Sequence, residues 1–206
     1  MNEEMNNNQA AVLENRQSAS IKDLCFIAVF TAIICVLSQI SIPMPAGVPM
    51  TLQTLIIPLA GIIIGKKKGT YSTLLYLLLG AVGIPVFAGF SGGIGTLLSL
   101  TGGFLISFPV LSFTAGLGDE IGIRLSRNKG TSKTYLYYVL LVLSLVIGAT
   151  INYVFGTVWF MVVSKTSFLA GLAACVIPFI PTAILKIIIV AILGPELKKR
   201  LASVLQ

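Results

Sequence analysis

The sequence predicts an all-α, polytopic integral membrane protein: a bundle of six transmembrane helices with both termini in the cytosol. Three observations carry that prediction. Apolar residues fill 56% of the 206 positions and charged residues only 10%, a balance that suits lipid as the surrounding solvent. Two stretches, 24–65 and 71–118, contain no charged side chain, and each is too long for a single helix. The basic residues gather at the ends of apolar runs, where they report orientation across a bilayer.

Residues 1–20 are polar and rich in Asn and Gln, with neither an apolar core nor a small-residue cleavage site. They read as a polar cytosolic tail, not a signal peptide or a span, and 21–206 as the transmembrane domain. The first helix is expected over about Lys22–Ile40, ending where SIPMPAGVP places three prolines and a glycine that forbid helix continuation. A second helix follows over about Met50–Gly65 and closes on Lys66, Lys67 and Lys68. The next apolar stretch is interrupted by GIPVFAGFSGG, Gly83–Gly93, whose glycines and aromatic rings suit an ordered loop or re-entrant segment. One helix precedes it and another follows over about Gly95–Leu117. Asp119–Lys133 is a polar connection carrying Arg124, Arg127, Lys129 and Lys133. The last two helices are expected over about Tyr135–Val163 and Ser167–Leu193.

Orientation follows from charge. Arg16 and Lys22, the lysine triplet, the 119–133 connection and Lys198, Lys199 and Arg200 fall on one side of this arrangement, and Lys165 falls on the other. The positive-inside rule makes the first side cytosolic, so the two Pro/Gly-rich breaks face outward.

Several chemistries are excluded. No histidine is present, which removes Ser-His and Cys-His nucleophile pairs and His-ligated zinc. Cys25, Cys35 and Cys175 lie in apolar runs without metal-ligand spacing and read as small core residues. The segment GIIIGKKKGT has one residue too few between its glycines for a phosphate loop, and Lys67 where Ser or Thr should follow the first lysine. The net charge of +7 reports topology, since its lysines and arginines do not form one soluble face. With no nucleotide site, uphill transport would draw its energy from ions or partners.

Lys186 is the leading candidate residue. It lies inside the last apolar run, about 18 Å along a helix from Lys198, and an ionised lysine near the bilayer centre costs about 2.5–3.5 kcal/mol on insertion scales. Either it faces a cavity, a partner or a ligand, or its stem carries the ammonium to the headgroups. Asn152 lies about 28 Å beyond Lys133 along its helix, and Thr51, Gln53 and Thr54 open the second helix at its outer end. These polar groups converge on one level, with Phe87, Phe90, Ser91 and Trp159 as candidate walls. Such a cavity suits a small ligand with an apolar body, an amide-like head and a carboxylate. The alternatives stay open: Asn152 and Gln53 as interhelical hydrogen bonders, and Trp159 as an interfacial anchor. In the first helix Ala28 and Ala32 form a small-xxx-small pair that lets another helix approach closely, within this chain or in a partner.

The motifs VPMTLQTL at 48–55, GIPVFAGF at 83–90, LTGGFLISF at 100–108, NYVFGTVWF at 152–160 and PFIPTAILK at 178–186 together resemble the BioY family, the biotin-binding S components of energy-coupling factor transporters. The resemblance runs from about Pro45 to Leu193. It implies a six-helix S component in the cell membrane, without a cofactor or enzymatic activity of its own. Such a subunit captures biotin at the outer side and associates with a transmembrane coupling protein and two ATPases. It adds Thr101 and Tyr153 to Lys186, Asn152, Gln53, Thr51, Phe87, Ser91 and Trp159 as substrate-binding candidates, and makes Ala28 and Ala32 the expected docking pair. The chain departs from the family pattern at Ser99, Leu100 and Phe104, and above all at Ala183. There the family's PFIPGD places an aspartate one turn before the lysine, so Lys186 lacks a local counter-ion. Competing readings are an S component for another vitamin, a membrane scaffold whose polar residues only join helices, and an intramembrane enzyme with Lys186 as nucleophile.

Overall fold

The computed structural model describes residues 21–44, 47–126 and 133–205; the expected tail at 1–20, Arg127 and Lys129 lie outside them. The described chain is mostly helical. Three of its helical runs, Gly102–Ser126, Thr134–Ser164 and Phe168–Ala202, are long and apolar enough to cross a membrane.

Helix α1 is described over 21–37. Pro43, Pro49 and Gly47, whose φ of 80° favours glycine, then reverse the chain. The reversal makes a hairpin of β1 (Ser41–Ile42) and β2 (Met50–Thr51), antiparallel with Ser41 opposite Thr51. The second helix therefore starts later than expected, as α2 (Gln53–Ile63). Nine of its 11 residues are buried, and at about 16 Å it is too short to span a bilayer unaided. A helix apolar all round belongs in the interior, and α2 is packed by its neighbours α3 (Lys66–Ala81), α5 (Gly102–Ser126) and α8 (Ile180–Leu205). Glycine sets the closest approach: a Cβ on Gly69 of α3 would lie 2.6 Å from the Gly61 Cα of α2, so neither position tolerates a side chain.

Two expected helices are each divided. The one placed at Gly95–Leu117 is a short α4 (Ile94–Leu97) followed by α5, because the chain turns at 98–101 and the Ser99 carbonyl accepts from the Trp159 indole. The one placed at Ser167–Leu193 is α7 (Phe168–Cys175), a 3₁₀ turn at Ile177–Phe179 and α8. Pro178 lacks the N–H that an unbroken helix would need there. Between them α6 (Lys133–Ser164) is continuous.

Asp119 to Ser126, expected in the polar connection, is helical, since α5 continues to Ser126. Asp119 is 1% exposed. Its carboxylate accepts the Tyr137 hydroxyl of α6 at 2.6 Å and pairs with the Lys198 ammonium of α8, so one buried charge ties three helices. Removing the partner of a buried ion costs about 3–5 kcal/mol, against 1 kcal/mol or less for an exposed pair. Lys198→Met should lower the thermal unfolding midpoint in detergent by several degrees. Arg200→Gln, which opens only the exposed pair with Glu196, should leave it nearly unchanged.

Candidate functional site

At the opposite end of the bundle from Asp119 the elements enclose a partly open cavity. It offers about 90 Å³ to the centres of water-sized occupants, several times the 10–15 Å³ a single water needs. The hairpin, the segment around 87–101, the start of α5, α6, α7 and α8 contribute to it. Val48, Phe104, Phe108 and Phe179 form apolar walls, and the predicted residues Thr51, Gln53, Phe87, Ser91, Thr101, Asn152, Tyr153 and Lys186 all line it.

Lys186 does not snorkel. Its ammonium donates to the Thr51 carbonyl oxygen at 2.6 Å and to the Thr54 hydroxyl at 2.9 Å, pinning α8 to the strand that ends the hairpin. No ion pair to Lys186 forms among the described residues, and Ala183, one turn earlier, supplies none. Among the described residues the Thr51 carbonyl and the Thr54 hydroxyl are the two acceptors of the Lys186 ammonium, which leaves its third proton available, and Lys186 lines this cavity and a second one beside it.

The two amides are held rigidly. Gln53 is 4% exposed; its amide donates to the Tyr76 hydroxyl at 2.6 Å, and its carbonyl oxygen accepts the Thr51 hydroxyl at 2.9 Å. Tyr76 meets Phe87 edge-on at 5.4 Å between centroids, and the Phe87 ring in turn fills the space that a side chain at Gly80 would need. Asn152, 2% exposed, donates to the Phe104 carbonyl at 3.1 Å and the Ser107 hydroxyl at 2.7 Å. Both of its amide protons are engaged and its carbonyl oxygen stays open as an acceptor. Interhelical bonding and cavity lining, which read as alternatives in the sequence, coexist in the same side chains.

Two expected wall residues are elsewhere. Trp159 is outside the cavity: it packs against Gly103 of α5 and donates its indole N–H to Ser99, so it clamps the turn between α4 and α5. Phe90 is 72% exposed, with a φ of 56°, and only its backbone N–H is held, by Gln39. Tyr76 and Ser107 escaped the sequence reading. Each lies in an apolar run where nothing in the spacing shows which way a hydroxyl turns.

Ala28 and Ala32 are both exposed. The opposite face of α1 makes the internal contacts, with Thr31 donating to the Ser72 carbonyl of α3 and Ser72 to Ile27. Packing among the described residues therefore leaves the small-residue pair uncovered.

The family model described as the BioY family matches residues 7–203. A probable biotin transporter BioY from Pyrococcus horikoshii is 38% identical over 82% of this chain and 93% of its own length. Biotin transporter BioY2 from Lactococcus lactis subsp. cremoris is 35% identical over 90% and 95%. Biotin transporter BioY from Thermotoga maritima is 34% identical over 87% and 97%. A crystal structure of the S-component for biotin from an ECF-type ABC transporter superposes with a TM-score of 0.73 at 27% identity, covering 87% of this chain and 92% of that one.

Proposed function

From the membership of this chain in the BioY family, we propose that it is a membrane subunit that captures biotin from the outer side for ATP-driven uptake by an energy-coupling factor transporter. The observation that carries the reading at this chain's own residues is Lys186: an ammonium held in a cavity between apolar walls and polar side chains, with no carboxylate partner among the described residues. Biotin brings what such a cavity lacks. Its carboxylate pairs with the ammonium through a charge-assisted hydrogen bond, its ring system fills the space between the phenyl rings, and its ureido head matches amide and hydroxyl groups such as Gln53, Thr51, Ser91 and Thr101.

The same reading includes six spans, with both termini cytosolic and the subunit in the cell membrane. The cavity then opens outward and the Asp119 cluster lies inward. ATP hydrolysis falls to two partner ATPases, joined through a transmembrane coupling protein that docks at Ala28 and Ala32. Mass spectrometry of small molecules carried through purification, followed by titration with a panel of vitamins, tests the ligand. Biotin bound one to one is the expected result. A different vitamin would replace the substrate, and an empty protein that bound nothing in the panel would leave the scaffold reading in its place.

A further inference from the structure

Behind Lys186 lies a second cavity, deeper than the first and lined by Thr54, Pro58, Ala149, Asn152, Ala183 and Lys186 among others. It borders a defect in α2. Pro58 sits inside that helix and has no N–H, so the Thr54 carbonyl, four residues earlier, has no intrahelical donor. An unpaired backbone acceptor in a membrane interior costs several kcal/mol. The two residues of that defect, Thr54 and Pro58, line the same void as Lys186 and Asn152.

We propose that this void is a hydration site, in which ordered water bridges the third proton of Lys186, the Thr54 carbonyl and the carbonyl oxygen of Asn152. The size fits: about 30 Å³ is open to water centres, where one water needs roughly 10–15 Å³ and two to four polar partners. One donor and two acceptors meet that requirement. Asn152 lines both cavities and its carbonyl oxygen has two lone pairs, so it serves the water without leaving the main chamber. The ammonium thereby reaches three acceptors: a backbone carbonyl, a threonine hydroxyl and water. That is how this chain keeps a charged lysine in lipid with alanine at 183. The small side chains at 149 and 183 are then what leaves the water its room, and residue 183 tunes affinity without lining the main cavity.

A crystal structure of the unliganded protein, at a resolution that shows ordered solvent, is the direct test. Density within hydrogen-bonding distance of Lys186 Nζ and the Thr54 carbonyl is expected, and an empty void would overturn the proposal. The consequence for affinity rests on the biotin reading. Ala183→Leu and Ala149→Leu fill the void from opposite helices and should each weaken biotin binding about tenfold by stranding the buried acceptor. Ala183→Ser, which leaves the space, should stay within about threefold. Unchanged binding in both leucine variants would equally overturn the proposal. A protein that bound no biotin would remove the proposed function alone, since the density decides the water.

Discussion

Lys186→Ala is expected to weaken biotin binding by more than tenfold while leaving the protein folded. A hydrogen bond between charged groups is worth about 1.5–3 kcal/mol, and about 1.4 kcal/mol is a factor of ten, so loss of the carboxylate's partner alone reaches the threshold. Removal also frees the Thr51 carbonyl and the Thr54 hydroxyl, which releases the hairpin from α8 and adds to the loss. Stability should change little, because the stranded acceptors and the removed charge act in opposite directions. An ammonium without a carboxylate neighbour is costly inside a bilayer, and alanine removes that cost. Lys186→Arg keeps the charge but replaces a compact ammonium with a planar fork, and it should fall between the two. Titration of the purified variants, paired with thermal unfolding in the same detergent, separates binding from folding. Equal affinity in wild type and Lys186→Ala would show that the carboxylate is held elsewhere.

The membrane class is legible because composition alone decides it, and the polar lining of the cavity because depth is arithmetic. Counting residues from Lys198 and Lys133 puts Lys186 and Asn152 at the level where Gln53 opens its helix, and one cavity joins the three. Helix breaks were readable where proline makes them, at 43–49. They were missed at 98–101, where no proline stands and an indole from another helix holds the turn. Pro178 breaks the helix too, yet the apolar run around it predicts a continuous span. The hairpin left no periodic trace, since strands of two residues are too short for alternation to show. Asp119 was misplaced for a different reason: a carboxylate beside basic residues looks like a solvated connection, and its partners Tyr137 and Lys198 are distant in sequence. Helix faces were the hardest to read. Lipid and protein interior are similarly apolar, so Leu74 and Leu78, exposed on α3, resemble in sequence the buried Leu59 of α2.

That ambiguity of faces gives α1 its second expected result: Ala28→Trp combined with Ala32→Trp should abolish co-purification with the proposed coupling protein and ATPases, and with it uptake, while biotin affinity stays within about twofold. The two alanines are one helical turn apart and share a face. Beside them Leu24, Val29 and Val36 are 68%, 54% and 68% exposed, so the face is apolar yet left uncovered by the other described residues. In lipid, exposed apolar side chains alone do not mark an interface, because acyl chains cover them equally well. What distinguishes this stripe is the pair of methyl-sized residues, over which a second helix can approach to backbone contact. An indole at each position closes that approach. The opposite face, where Thr31, Ile34 and Ser38 are buried, keeps α1 on the bundle, and neither alanine lines the cavity. Full assembly and uptake by the double variant would move the docking surface off α1. Loss of biotin binding together with assembly would mean that α1 acts through the fold and not as a contact face.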